Sequence, residues 1–186
     1  MPVQIGSVAH HFTDPVGLLM DCHRRVEMFI RALDHVAQTS GEPLSDENRR
    51  SLDLSLRYFR EAAPKHTADE EESLFPRLRK ISDEQLQTAL ARLDELESDH
   101  RWAEPLHARA EELGSKYLND GRLSTEDADT FRNAVHQLCE MYQHHIEVED
   151  REVFPVANRV LGAQAKKLIA DEMQHRRGLN PVVQLK

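Results

Sequence analysis

Two segments of the chain, residues 66–76 and 145–155, repeat one arrangement of residue types that can bind a metal. In each, a His is followed four positions later by a Glu, and Phe-Pro begins five positions after that Glu. Residues at i and i+4 lie one turn apart on the same face of a helix, so each His and Glu can reach one metal ion. The two pairs are His66 with Glu70 and His145 with Glu149. Two such helices facing each other would hold two ions.

Two more His residues extend this candidate site. His23 and His100 lie on the apolar stripes of predicted helices, and their separation of 77 residues is close to the 79 that separates the two His-x-x-x-Glu units. The chain therefore resembles two helical hairpins with one single-His helix and one His-x-x-x-Glu helix each. A lone His on an apolar face is more often a hydrogen-bonded core residue, but four on four stripes favour metal binding. The candidate metal ligands are His23, His66, Glu70, His100, His145 and Glu149.

Four further residues are candidates for additional ligands or for partners of the imidazole N–H groups. They are Glu27, Glu104, His107 and Tyr142. The two Glu residues each follow the single His of a helix by four positions. Three alternatives stay open for them: additional ligands, partners of the imidazoles, or polar residues at the edge of the stripe. For Tyr142 a place in the core is favoured. The acidic residues Asp69, Glu71 and Glu72 are expected to be solvated surface residues.

The positions of cap residues and apolar residues predict four long helices and a short fifth one. The first helix is expected to follow Asp14 and to run from about residue 15 to residue 38. The second is expected to begin at Ser45 and to be kinked by Pro64. Pro76 is expected to break or bend the second helix again.

The third helix is predicted to begin at a capping box at residues 82–85. Gly114 and residues 119–121 are expected to end it, since Gly favours helix C-termini. Ser124 is expected to cap the fourth helix, which closes near residue 161.

Composition and loop length predict how these helices pack. Aromatic residues make up 5% of the chain, only 7 residues are Gly, and 31% are charged, which favours helices over sheets. Four long helices joined by short loops form an up-down-up-down four-helix bundle, so we predict an all-α fold. We expect a single domain over residues 1–186, with the bundle at about 14–161 and a short C-terminal helix at about 163–177.

The charge and the apolar pattern argue against several classes of function. The formal net charge of −9 opposes binding to nucleic acid or to an anionic membrane. No apolar run approaches the ~20 residues that span a bilayer, and the N-terminal residues lack the features of a signal peptide. The only two Cys residues, Cys22 and Cys139, have no paired spacing and are interpreted as reduced core thiols. We therefore expect a cytoplasmic protein.

The ligand types narrow the choice of metal. Mixed imidazole and carboxylate donors suit Fe, Mn or Zn, and the absence of paired thiolates argues against a structural Zn site. Two carboxylates shared between two groups of ligands suggest that they bridge two ions, as inward-facing Glu residues do in di-iron helix bundles.

At this point the sequence resembles the hemerythrin-like proteins, or HHE cation-binding domains, over about residues 14–177. The resemblance rests on the two His-x-x-x-Glu-x-x-x-x-Phe-Pro units, on residues 21–24 and 99–100 around the single His residues, and on residues 172–177. It implies a four-helix bundle around a non-haem di-iron centre. In the oxygen-carrying members of the family that the chain resembles, the third helix carries His-x-x-x-His. This chain has Glu104 at the position of the second His.

The resemblance also implies roles for the individual ligands. It implies that His23 and His145 bind one iron and that His66 and His100 bind the other. Glu70 and Glu149 would bridge the two ions, together with an oxo or hydroxo group. Mn or Zn would be possible substitutes for iron.

The leading functional expectation is a di-iron protein that handles or senses O₂, NO, peroxide or iron, and iron donation to damaged iron–sulfur centres is one form this can take. One alternative is a di-iron oxidase or peroxidase that uses open iron positions. Another is a regulatory module whose iron occupancy orders the bundle for a protein partner. The sequence leaves open whether the protein is an enzyme, which residues would be catalytic, and which oligomeric state it adopts.

Overall fold

The computed structural model of the chain describes residues 11–82 and 86–179. Within these ranges all regular secondary structure is helical, and four long helical rods pack as an up-down-up-down bundle with a shorter helix at the C-terminal end. This confirms the predicted all-α fold class. The first rod is the single helix α1, Pro15–Gln38. The second rod consists of α2 (Asp46–Glu61), α3 (Ala63–Ala68), the π-helical segment π1 (Asp69–Leu74) and α4 (Phe75–Leu78).

The third and fourth rods resemble the first and second: one is a single uninterrupted helix, and the other contains a π-helical segment. The third rod is the long helix α5, Gln87–Asp120. The fourth rod consists of α6 (Thr125–Val148), π2 (Glu149–Val153) and α7 (Phe154–Val160). The C-terminal helix α8, Ala163–Arg176, packs against α1 and π1.

Three predicted helix starts are confirmed by their cap hydrogen bonds. The side-chain oxygens of Asp14, Ser45 and Ser124 each accept the backbone N–H of the residue three positions later, at 3.1 to 3.2 Å. Each bond satisfies one of the backbone donors that the first turn of a helix leaves without an intrahelical partner. Residues 83–85 of the predicted capping box of the third helix lie outside the described residues.

The expectation that Gly114 would help to end the third helix is wrong, because this residue lies inside α5. A Cβ atom added at Gly114 would come within 2.9 Å of Leu56 Cδ1 and 3.0 Å of its Cδ2. The glycine therefore lets α5 approach α2 closely. The helix ends instead at Gly121, whose φ of 72° is the left-handed conformation typical of a glycine at a helix C-terminus.

The two Phe-Pro pairs do not interrupt their rods, so of the expected break or bend at Pro76 the break does not occur. A proline inside a helix cannot donate the usual hydrogen bond. In each rod a wider π turn comes just before the proline: Phe75 N–H bonds to the carbonyl of Glu70, and Phe154 N–H to that of Glu149. Each bond spans five residues, which is the π-helical spacing. Both candidate bridging Glu residues therefore lie in π turns. The second rod is also interrupted at Ala62, two residues before Pro64.

The candidate site is a polar layer between two apolar clusters. On α1, Leu19 belongs to one buried cluster and Ile30 to the other, and His23 lies between them in sequence. On α6, His145 likewise lies between Leu138 of one cluster and Val148 of the other. Apolar packing on both sides fixes the four rods at the level of the site. Among the described residues, no helix has the length and hydropathy that crossing a membrane requires.

Candidate metal centre

The four rods bring four imidazoles and two carboxylates into one buried layer. The first and third rods supply one imidazole each, and the second and fourth supply one imidazole and one carboxylate each. The residues are His23, His66, Glu70, His100, His145 and Glu149. Both carboxylates are fully buried, and three of the imidazoles are almost completely so.

Glu149 lies between imidazoles of two different rods. Its Oε2 is 3.0 Å from Nε2 of His23 on the first rod and 3.3 Å from Nε2 of His145 on its own rod. The His-x-x-x-Glu spacing accounts for the second contact, because these residues lie one helical turn apart. Only the packing of the first rod against the fourth accounts for the first contact.

Glu70 occupies the corresponding position on the second rod. Its Oε1 is 3.1 Å from Nε2 of His66 and 3.8 Å from Nε2 of His23. Its other oxygen, Oε2, is 3.6 Å from Nε2 of His100 on the third rod. The carboxylate therefore presents one oxygen to each side of the layer, as a bridging ligand does.

The imidazoles pair differently from the pairing that the resemblance implies. The ring centroids of His23 and His66 are 4.9 Å apart, and those of His100 and His145 are 4.6 Å apart. The candidate ligand atoms also form two groups, and these groups separate the same two pairs of imidazoles. The first is His23, His66, Glu70 and Glu149, and the second is Glu70, His100 and His145. The members of each hairpin therefore place their imidazoles side by side, whereas the resemblance implies that His23 shares an ion with His145. The division of the ligands between two ions stays a prediction.

Three of the imidazoles have a carboxylate at the nitrogen that faces away from the centre. These Nδ1 contacts are His23 with Asp150 at 2.8 Å, His100 with Glu71 at 2.8 Å, and His145 with Asp99 at 3.2 Å. A carboxylate that accepts the Nδ1–H fixes the tautomer in which the Nε2 lone pair is free for a metal.

The sequence interpretation missed these three carboxylates. The expectation that Glu71 would be a solvated surface residue is wrong, because its side chain hydrogen-bonds to His100. One signal was available in the sequence, because each of the three is the immediate neighbour of a candidate ligand. Asp150 and Glu71 also occupy equivalent positions in the two repeated units.

Asp69 is a second correction, because it is fully buried rather than solvated. Its Oδ1 lies 2.8 Å from Arg176 Nη1, and its Oδ2 lies 2.6 Å from Arg177 Nη2. Two guanidinium groups at the end of α8 therefore hold the residue that precedes Glu70. Glu72 is 68% exposed, as expected of a solvated surface residue.

The protonation equilibria reflect the burial of two acids side by side. Burial raises the pKa of Glu70, and the nearby charge of Glu149 raises it further. Burial also acts to raise the pKa of Glu149, but the neighbouring imidazoles of His145 and His23 outweigh it and lower that pKa. The pKa of His66 is lowered by burial and by the charge of His23. A bound cation would favour both carboxylates in their charged form and the imidazoles in their neutral form.

Glu27 and Glu104 lie apart from both groups of donor atoms. The Glu27 side chain is 43% exposed, and its Oε1 lies 3.6 Å from Arg31 Nη2 on the next turn of α1. Glu104 is exposed and lines a cavity that opens to solvent. Of the three alternatives for these residues, the structure favours polar residues at the edge of the stripe.

His107 and Tyr142 form a pair next to the centre rather than part of it. His107 Nε2 lies 2.8 Å from the Tyr142 hydroxyl, and burial lowers the pKa of this histidine to about 4. Tyr142 lines both a small enclosed space among the four imidazoles and an outer cavity of about 450 Å³. The outer cavity also contacts His100, so it leads from solvent to one side of the centre.

The candidate ligand atoms of the centre are placed to bind a metal rather than to hydrogen-bond to one another. Although His23 Nε2 is close to Glu149, neither it nor any carboxylate oxygen of Glu70 and Glu149 has a hydrogen-bond partner of acceptable geometry among the described residues. Buried polar atoms of this kind are costly unless something compensates them. Imidazole nitrogens and carboxylate oxygens converging in one layer are suitable ligands for a divalent transition metal.

A helical bundle with a buried layer of His and Glu side chains is the architecture of a metal-binding helical bundle protein. The Hemerythrin HHE cation binding domain matches residues 14–157, which is most of the chain. The chain therefore belongs to the hemerythrin family and is a metal-binding hemerythrin-like protein. It is also similar to an uncharacterized protein of Haemophilus influenzae, with 27% identity over 167 residues, which cover 89% of this chain and 91% of the relative.

Proposed function

We propose that this chain holds two iron ions and that the loaded centre handles or senses O₂, NO, peroxide or iron. The main support is that two groups of donor atoms share Glu70, while Glu149 contacts imidazoles belonging to both groups. The first ion would be held by His23 and His66 and the second by His100 and His145, with the two carboxylates between them.

Several features of the ligand set favour iron. The donors are imidazole and carboxylate, and neither free cysteine belongs to the groups of donor atoms. Mn or Zn would be substitutes with the same ligands. A bound iron pair would supply reversible redox chemistry toward diatomic molecules or peroxide. The chain itself holds the imidazole tautomers through Asp99, Asp150 and Glu71 and excludes water from both bridging carboxylates.

The outer cavity is the route by which a small molecule would reach the centre. It contacts His100, whose side chain is 11% exposed, whereas the bridging Glu70 is fully buried. Tyr142 stands between this cavity and the enclosed space among the imidazoles. Burial raises the pKa of Tyr142, so its hydroxyl stays protonated and can donate a hydrogen bond. O₂, NO and peroxide are all small enough for this route.

An oxidase or peroxidase is the second candidate function, and the same cavity favours it. A volume of about 450 Å³ is much larger than a diatomic molecule needs and would accept a small organic substrate next to His100. Turnover of peroxide with a series of small reductants would support this candidate. An iron-dependent regulatory module remains the third proposal, and pull-downs with metal-loaded and metal-free protein would test it.

Metal analysis tests the primary proposal. Protein produced in iron-replete medium should contain two iron ions per chain, and its visible spectrum should change when air replaces nitrogen. Glu70→Ala should lose metal and stability together, because the four buried imidazoles then face fewer anionic donors. Glu147→Ala is the matched control, because Glu147 is 51% exposed and pairs with Arg151. One ion or fewer per chain, or zinc alone, would contradict the proposal.

We further propose a cytoplasmic location, which the two free thiols support. The bundle and α8 are proposed to act as one domain, because Arg176 and Arg177 of the C-terminal segment bind Asp69 next to the centre. The net charge of −9 supports the proposal that the partners do not include nucleic acid or anionic membranes.

A further inference from the structure

Asp69 and Glu70 are consecutive residues of π1 that face different parts of the molecule. Glu70 faces the imidazoles of the centre, with its Oε1 3.1 Å from Nε2 of His66. Asp69 instead faces the C-terminal end of α8, where Arg176 and Arg177 bind its two oxygens at 2.8 and 2.6 Å. Both carboxylates are fully buried. Because one planar peptide bond joins the two residues, a movement of the backbone at Asp69 also moves Glu70.

The position of the Glu70 carboxylate depends on the backbone of π1 rather than on hydrogen bonds of its own. Neither of its oxygens has a hydrogen-bond partner among the described residues. The turn that carries it is π-helical, with the Glu70 carbonyl bonded to the N–H of Phe75. A ligand side chain without such partners keeps its place only if the segment that carries it is held by its surroundings.

Helix α8 holds this segment through charged groups. Arg176 Nη2 also donates to Ser73 Oγ at 2.8 Å, within π1. Arg77 of α4 binds Glu172 of α8 through two hydrogen bonds of 2.7 and 3.0 Å. Ile169 of α8 is fully buried in an apolar cluster and adds to the docking. The π1 segment is therefore fixed between α8 on one side and the candidate ligands on the other.

The equivalent position on the fourth rod carries an apolar residue. Val148 precedes Glu149 as Asp69 precedes Glu70, and the two pairs are separated by the same 79 positions. Val148 is buried in an apolar cluster. The charged contacts with α8 therefore distinguish Glu70 from Glu149. Glu70 is also the residue that belongs to both groups of candidate ligand atoms.

We propose that Asp69, Arg176 and Arg177 are positioning residues of the metal centre, and that the docking of α8 controls how tightly the centre holds its metal. This inference rests on the proposed metal binding. With α8 displaced, Asp69 would be a buried carboxylate without a cation, which is strongly unfavourable. The π1 segment would then move until Asp69 reaches water, and Glu70 would leave the centre with it. Because Glu70 is shared by both groups of candidate ligand atoms, one displacement would weaken the binding of both ions.

The effect must be reciprocal, because metal binding and helix docking are linked equilibria. Loss of a group that supports a metal ligand typically weakens metal affinity 10- to 100-fold, and we expect the lower end, about tenfold, since Asp69 acts through the backbone. Bound metal should then favour the docked state of α8 by the same factor. Displacement of α8 would promote the release of metal, as iron donation requires.

Hydrogen exchange of the wild type tests the coupling without any substitution. Metal-free protein is compared with protein loaded with iron(II) in the absence of oxygen, both without denaturant, where a terminal helix exchanges through local opening. The amides of α8 should exchange about tenfold more slowly in the loaded protein, as the reciprocal effect requires. Equal exchange of α8 in the two states would overturn the proposal.

Dissociation constants for iron(II), measured by competition with a chelator, test the individual residues. Arg176→Ala and Arg177→Ala should each weaken metal binding about tenfold. Arg176→Lys keeps a cation for Asp69 and should restore most of the affinity. Lys167→Ala is the matched control on α8, because Lys167 is 65% exposed and pairs with Asp171 of the same helix. This variant should bind metal like the wild type, and equal weakening by Arg176→Ala and Lys167→Ala would contradict the proposal.

A second control separates positioning of Glu70 from a general loss of stability. Val36 is fully buried in the apolar cluster that does not contain the α8 residues. Val36→Ala should lower the free energy of unfolding in urea while metal affinity stays near that of the wild type. If Val36→Ala weakened metal binding as much as Arg176→Ala at the same loss of stability, the arginine would have only a structural role and the proposal would be overturned.

Metal content, measured on the same samples, separates this inference from the proposed function. If the wild type holds one ion, or a metal other than iron, and Arg176→Ala still weakens its binding, the coupling stands and the di-iron proposal fails. If two iron ions are bound and neither the affinity of Arg176→Ala nor the exchange of α8 responds, the di-iron proposal stands and the coupling fails. A wild type that binds no metal would overturn both.

Discussion

Replacing Glu71 with alanine tests whether the carboxylate behind His100 contributes to metal affinity. Glu71 Oε1 lies 2.8 Å from His100 Nδ1, and its side chain is 35% exposed. Loss of such a partner behind a metal-binding histidine typically weakens metal affinity 10- to 100-fold. Because water can partly replace this half-buried carboxylate, we expect the lower end, about tenfold or ~1.4 kcal/mol. Glu71→Gln keeps an accepting oxygen and should lose less.

Competition with a coloured chelator measures the dissociation constant of the metal for each variant. Glu72→Ala is the control, because Glu72 is the next residue, is 68% exposed and contacts Arg176 rather than an imidazole. It should bind metal like the wild type. Equal dissociation constants for Glu71→Ala and the wild type would refute the role assigned to this carboxylate. Equal weakening by Glu71→Ala and Glu72→Ala would show that net charge, rather than the hydrogen bond, sets the affinity.

Three further variants test the packing around the site. Arg176→Ala removes one of two cations from the fully buried Asp69, and we expect it to lower the free energy of unfolding in urea by about 2 kcal/mol. Gly114→Ala places a Cβ atom within 2.9 Å of Leu56 Cδ1. Overpacking costs about 1–3 kcal/mol and Ala favours a helix over Gly by about 1 kcal/mol, so thermal unfolding should show a net loss of stability of about 1 kcal/mol. Burial lowers the pKa of His107 to about 4, whereas an unfolded His titrates near 6.5. The unfolded chain therefore takes up this proton first, and stability should fall as the pH drops from about 6.5 toward 4. His107→Gln should flatten that part of the pH profile of the urea midpoint.

Helix-scale features of the protein were predictable from the sequence because they depend on neighbours along the chain. Asp14, Ser45 and Ser124 cap helices through hydrogen bonds that span three residues. Apolar stripes with helical spacing predicted the all-α bundle. The His-x-x-x-Glu spacing predicted contacts one turn apart, and His66 Nε2 does lie 3.1 Å from Glu70. The ligand set itself stays a prediction until metal is measured.

Local spacing was not sufficient for residues whose role depends on another helix. Gly114 is a residue type typical of a helix end, but it lies inside α5, where the absence of a side chain lets Leu56 of α2 pack against the helix. Asp69 has the sequence context of a solvated acid, but Arg176 and Arg177 reach it from the C-terminal end of the chain. The π turns before the two prolines were not predicted either. A proline inside a helical segment is compatible both with a break of the helix and with a widened turn, so the residue types alone do not distinguish the two.

The sequence by itself therefore determined which rods exist and which His and Glu residues share a helical face. The tertiary structure decided which imidazoles lie side by side, pairing His23 with His66 rather than with His145. It also decided that Glu71 supports His100 while Arg176 and Arg177 hold Asp69. The physical reason is that a helical face is set by contacts within about four residues. The pairing of faces depends on how side chains from distant segments fill the space between helices.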